Sequence, residues 1–174
     1  GLMTNVPSSV LSDGIHTWMA RSVDNLGNRS DYSKIQMFIL DAQPPIPPVL
    51  QSPASNSFSR TNAQILTWKP AFDQNGIGRY ILEVDGVTNS VFGATNKSVS
   101  GLGYVQHFWR VRAVDASGNI GVWSPLWNFT LDNTAPPTPN PLKIFENGHT
   151  NSRNLFLNWN HVNDISGIHH YQVW

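Results

Sequence analysis

The sequence predicts an all-β protein built from a repeated sandwich, and three observations carry that expectation. Turn-forming residues are abundant, with Asn 18, Ser 17, Gly 13 and Pro 12 among 174 residues, and each favours chain reversal for its own reason. Between these residues lie short runs that alternate apolar and polar with period two, the mark of half-buried strands, and no useful window shows helical periodicity. The chain also repeats itself at a constant offset of 91 residues.

The repeat occupies two separate blocks. HTWMARSVDNLGNRSDYS at 16–33 matches HFWRVRAVDASGNIGVWS at 107–124, pairing His16 with His107, Trp18 with Trp109, Asp24 with Asp115, Asn28 with Asn119 and Ser33 with Ser124. ILTWKPAFDQNGIGRYIL at 65–82 matches FLNWNHVNDISGIHHYQV at 156–173, pairing Trp68 with Trp159, Asp73 with Asp164 and Tyr80 with Tyr171. This period is longer than those of helical or propeller repeats, about 20–50 residues. It suits a small sandwich domain strung in tandem. The Pro-rich stretches Pro44–Pro48 and Pro136–Pro139 stand one period apart and are the expected boundaries. Residues 1–43 then form the back part of one unit, 44–133 a complete unit and 134–174 the front part of a third. The start at Gly1, with neither Met nor a signal peptide, fits a piece of something longer.

The complete unit is expected to carry about seven strands. Val49-Leu50 opens an edge strand, since the flanking prolines cannot donate to a ladder. Ala63 to Trp68 alternates, placing Leu66 and Trp68 on one face and Ile65 and Thr67 on the other. Pro70 ends that strand, and Asp73 to Gly76 is a turn. Arg79 to Val84 follows, closed by the hairpin pair Asp85-Gly86. Weaker strands are expected around Val91-Phe92 and Lys97 to Leu102. Phe108 to Val114 places Trp109, Val111 and Ala113 on one face and Phe108, Arg110, Arg112 and Val114 on the other. Asp115 to Asn119 is the next hairpin, and Val122 to Leu131 the last strand. The expected core is Leu66, Trp68, Tyr80, Trp109, Val111, Ala113, Phe129 and Leu131.

These residues resemble a known family. A Pro-rich start, Leu66-x-Trp68-x-Pro70, Gly-x-x-Tyr80, Trp109-x-Val111-x-Ala113-Val114-Asp115 and Gly118-Asn119 together look like the fibronectin type III domain, as found in tandem in bacterial secreted and surface proteins. The resemblance covers the whole chain as half, one and half. It implies two sheets, of three and four strands, packed at the aligned angle. The family usually has Tyr where Trp109 stands, with its hydroxyl bonded back to the backbone. Trp109 and Trp18 offer only an indole N–H donor, so that corner bond is expected to be absent or altered.

Composition excludes several functions. Lys plus Arg equals Asp plus Glu at 11 each, which speaks against a nucleic-acid binder and against a polybasic membrane-surface segment. No apolar run is long enough for a membrane-spanning helix. With no Cys, disulfides, zinc–thiolate sites and cysteine nucleophiles are out. Asp24 to Asn28 and Asp115 to Asn119 read as capped hairpins more readily than as calcium loops, because no third carboxylate lies nearby in sequence and calcium takes six to eight oxygens. Asp73 and Asp164 are read likewise. Of His16, His107, His149, His161, His169 and His170, the adjacent His169-His170 are expected on opposite faces of a strand and so unable to chelate together. His16 and His107 are read as strand-entry residues. No Gly-x-Ser-x-Gly elbow appears, and neither catalytic residue, metal nor cofactor is expected. The sequons at Asn28, Asn96 and Asn128 are taken as unused.

One surface feature stands out. Trp123 and Trp127 share a face by period two, beside the strand carrying Arg110 and Arg112. Outward-facing, they would make a cation–π ladder or an aromatic platform for sugar rings; inward-facing, they would belong to the core. The functional expectation is a non-catalytic extracellular or cell-surface array, acting as spacer and adhesive interaction module of a larger secreted protein. The alternative is a carbohydrate-binding accessory module of a secreted hydrolase. Expected partners are neighbouring repeats of the same polypeptide and a protein or polysaccharide ligand, with no nucleic acid and no membrane insertion. The two incomplete terminal halves would let the fragment self-associate through unpaired edges.

Overall fold

The computed structural model describes residues 11–141 and 156–174. Among them there is no helix; the chain is all-β. β1 (Gly14–Trp18) and β2 (Gln36–Leu40) form an antiparallel pair. Eight strands follow: β3 (Val49–Ser52), β4 (Ser57–Ser59), β5 (Gln64–Lys69), β6 (Ile77–Val84), β7 (Val87–Val91), β8 (Asn96–Val99), β9 (Gln106–Asp115) and β10 (Trp127–Leu131). They build a five-stranded sheet, β4-β10-β9-β6-β7, and a three-stranded sheet, β3-β5-β8.

Period-two alternation fills the space between the sheets. On β5, Leu66 and Trp68 are buried while Ile65 is exposed. On β6, Tyr80, Leu82 and Val84 point inward, and on β9 Trp109, Val111 and Ala113 do. Phe129 and Leu131 of β10 close the cluster. Trp68 meets Tyr80 edge-on at 5.4 Å, and the Tyr80 hydroxyl accepts the Ala71 N–H at 3.0 Å. A buried amide donor is thereby satisfied just where Pro70 has ended the strand.

Three details differ from the sequence reading. The larger sheet has five strands, because Ser57–Ser59 adds in parallel beside β10. A three-residue strand is too short to show alternation. It is placed by the left-handed Asn56 (φ 63°), whose N–H and side-chain oxygen bond the Asn128 carbonyl and amide at 2.8 and 3.0 Å. Val114 is buried, not outward, because the hairpin after β9 folds Ile120 back to bridge it. Opposite it β6 is irregular between Ile77 and Arg79; Gly78 fits there because a Cβ would lie 2.7 Å from the Asp115 carbonyl oxygen. The last strand begins at Trp127 instead of Val122.

His169 and His170 also depart from expectation. Their Nδ1 atoms lie 2.8 Å apart, since residues 160–174 carry no strand ladder to impose alternation. His149 lies outside the described residues.

Candidate functional site

Arg110 and Arg112 stand on the outer face of β9. Register places Glu83 of β6 opposite Arg110, and the pair is bidentate, with Nε and Nη2 donating to the two carboxylate oxygens at 2.9 Å each. That fork fixes the Arg110 side chain. The segment after the β9 hairpin runs back along β9: Gly121 N–H donates to the Ala113 carbonyl at 2.9 Å and Ser124 N–H to the Val111 carbonyl at 2.8 Å. In return the Val111 N–H donates to Ser124 Oγ at 3.0 Å, so the side chain of Ser124 supplies the acceptor that a regular strand would supply from its backbone. Trp123 is held over the arginines as a result. The guanidinium carbons of Arg110 and Arg112 lie 4.5 and 4.4 Å from its ring centroid. The neighbouring pair Arg21 and Tyr32, one period earlier, makes the same contact at 4.7 Å. Met19 occupies the place of Arg110 there, so that stack has one cation.

Trp127 does not share this face. Pro125 has no N–H to continue the ladder, the chain shifts, and Trp127 re-enters as the first residue of β10 opposite Trp109. It is half-buried and packs edge-to-face on Trp109 at 6.2 Å. Of the four residues read as one aromatic and cationic surface, Arg110, Arg112 and Trp123 are together, and Trp127 belongs to the edge of the core.

The histidines at strand entry carry a role that the sequence reading missed. His107 Nε2 bonds the Gly103 carbonyl, four residues upstream, at 2.8 Å, and Nδ1 meets Asp85 Oδ2 at 2.7 Å. His16 Nε2 bonds the Ser12 carbonyl, also four residues upstream, at 2.7 Å. This is a corner bond from the start of a strand back to the preceding loop. It is made by His107, while the buried Trp109 Nε1 has no partner. The signal was present in the repeated His16 and His107.

The Asp-Asn hairpins are self-capped. Asp24 accepts Leu26 N–H, Asn28 N–H and Asn28 Nδ2 at 2.7–2.9 Å, and the Asn28 side chain leads in holding its carboxyl below the usual range. Asp115 accepts Asn119 N–H and Nδ2, both at 2.8 Å. Burial pushes its carboxyl up, but the Asn119 side chain and the backbone N–H groups of the turn outweigh burial and hold it low. Asn119 Nδ2 also reaches back to the Asp41 carbonyl at 3.0 Å. Asp41, Asp73 and Asp115 thus come together, although no sequence pattern links them.

No family model matches the chain, and no curated protein matches it. Among solved structures, it is similar to the fibronectin(III)-like modules of CbhA from Clostridium thermocellum, at 20% identity and TM-score 0.43, covering 48% of this chain and 94% of that one. It is also similar to the FN1–FN3 domains of chicken CNTN1, at 17% identity and TM-score 0.38, covering 86% of this chain and 55% of that one. A third similarity is to a beta-1,2-glucanase from Parabacteroides distasonis, at 22% identity and TM-score 0.39, covering 63% of this chain and only 16% of that one.

Proposed function

We propose that this chain is part of a non-catalytic, extracellular array of fibronectin type III-like sandwiches that spaces and presents interaction surfaces in a larger secreted or surface protein. The observation that supports this most is the recurrence of the same packing device one period apart. Trp159 meets Tyr171 at 5.3 Å as Trp68 meets Tyr80 at 5.4 Å. Val162 N–H donates to the Tyr171 hydroxyl at 3.1 Å as Ala71 N–H does to that of Tyr80. Repetition of a core device suits a scaffold whose units are alike, and the short Pro-rich connection Pro44–Pro48 suits a semi-rigid linker. On this reading 44–133 is one repeat unit.

Small-angle scattering of a longer stretch of the parent chain tests the proposal: an extended, rod-like profile is expected, and a compact globule overturns it. The carbohydrate-module reading depends on Trp123, whose ring is already capped by two guanidinium groups. A glycan array with a binder that is lost on Trp123→Ala would favour that reading over this one.

A further inference from the structure

The segment that joins the β1–β2 pair to the sandwich has every backbone donor engaged. Between Asp41 and Val49, four of the seven residues are proline and carry no N–H. Each of the other three has an acceptor. Ala42 N–H donates to Oδ1 of Asp13, the residue before β1, at 3.1 Å, and Gln43 N–H donates to Asp41 Oδ1 at 3.1 Å. Ile46 N–H donates to the Phe72 carbonyl at 3.1 Å. A free linker would leave such donors to water. Pro45 and Pro48 are buried as well.

The hairpin after β9 supplies the surface on which this segment lies. Asn119 Nδ2 donates to the Asp41 carbonyl at 3.0 Å while also holding Asp115 Oδ2 at 2.8 Å. One side-chain amide thus closes its own turn and grips the chain 78 residues earlier. Two residues on, Gly121 lies against Pro45. A Cβ there would stand 2.6 Å from the Pro45 carbonyl oxygen and 3.3 Å from its ring. Gly121 is not among the glycines with a left-handed φ, so space and not backbone conformation calls for glycine. The hairpin one period earlier provides the contrast. Asn28 caps Asp24 in the same way, and among the described residues its Nδ2 bonds Asp24 alone.

We propose that residues 41–48 are a strap and not a free spacer, and that Asn119 and Gly121 form the latch that holds it. The partner this surface fits is the linker of the preceding unit. It offers a backbone carbonyl at Asp41 to the Asn119 amide, and a proline that packs on a bare glycine. The strap is fastened on both sides, to the β1–β2 pair through Asp13 and to the sandwich through Phe72 and Asn119. Its four prolines hold φ near −65°, so few torsions remain to absorb a hinge motion. The joint therefore fixes the direction in which one unit leaves the next, whatever surface the units present.

Hydrogen–deuterium exchange of dilute residues 1–174, read by mass spectrometry on peptides spanning 41–48, tests this. The amides of Ala42, Gln43 and Ile46 are expected to exchange together at least about tenfold slower than in an unstructured chain. Gly121→Ala drives a methyl group against Pro45 and should bring them to within about twofold of the unstructured rate, while the amides of β9 keep their protection. Asn119→Ala serves as the second variant should Gly121→Ala lose its fold by near-UV circular dichroism. Asn28→Ala removes the matching cap where no strap is held and should leave the exchange of 41–48 unchanged. Exchange of the strap at the unstructured rate in the unaltered protein overturns the proposal. So does protection undiminished in both variants, and so does an equal loss in Asn28→Ala. A rod-like scattering profile together with a fast-exchanging strap would remove the latch and leave the array standing.

Discussion

Truncating Trp123 separates a structural prop from a ligand platform. The indole carries two guanidinium groups at 4.5 and 4.4 Å. At a partly exposed site each such contact contributes about 0.5–1 kcal/mol, so Trp123→Ala should cost about 1–2 kcal/mol beyond the burial lost by the ring. For a domain of this size that lowers Tm by about 4–16 °C. Trp123→Leu restores much of the apolar cover without the π face, so the gap between the two variants isolates the ring's contribution. Arg110 remains forked to Glu83 in either variant, which confines the effect to the stack. The assay is urea unfolding of the wild type, Trp123→Ala, Arg112→Ala and the double variant, read as a cycle. A Trp123–Arg112 coupling of about 0.5–1 kcal/mol is expected. Additive effects, with no measurable coupling, would refute the account of Trp123 as a packed rung.

Other predictions follow from the same physics. Tyr80→Phe removes the acceptor of the Ala71 N–H and leaves that donor unpaired in the core; a loss of about 1–3 kcal/mol is expected, measured by the same unfolding assay, and an unchanged midpoint would contradict it. Because the Asp115 carboxyl is held low in the folded state, its contribution to stability is present above the ordinary carboxylate pKa of about 4 and is lost as pH falls through the lowered folded value. Thermal melts from pH 7 down to about pH 2 should therefore show a steeper acid loss for the wild type than for Asp115→Asn, and parallel curves would count against it. β1 and β2 expose Ile15, Met37 and Ile39 with no third strand alongside among the described residues, so sedimentation of residues 1–174 should show concentration-dependent association, while 44–133 alone stays monomeric; a monomer at every concentration for the full stretch would remove the self-association reading.

Much of the fold was legible because it depends on local rules. Alternation within one strand decides which side chains face the opposite sheet, so Leu66, Trp68, Trp109, Val111 and Ala113 could be assigned inward from their spacing. The hairpin caps Asp24 and Asp115 were legible for the same reason: donor and acceptor lie within four residues. Proline punctuation marked the linker but misled at Pro125, where the reading ran one strand from Val122 to Leu131 through a residue that cannot donate. An unbroken strand there would put Trp123 and Trp127 on one face, whereas Trp127 packs on Trp109 at the core edge and Trp123 lies over the arginines. The role of His107 was missed because its partners lie in two different loops, at Asp85 and Gly103.

By itself, then, the sequence determined the period of 91, the all-β class, the inward faces of the long strands and the chemistry of each turn, since these are set by neighbours along the chain. The tertiary structure alone decided that β4 joins the larger sheet, that Trp123 sits between cations while Trp127 turns to the core, and that Asp41, Asp73 and Asp115 meet. Each of those contacts joins residues on different strands or loops, and strand pairing within the larger sheet, together with the packing of linker on sheet end, sets their separation.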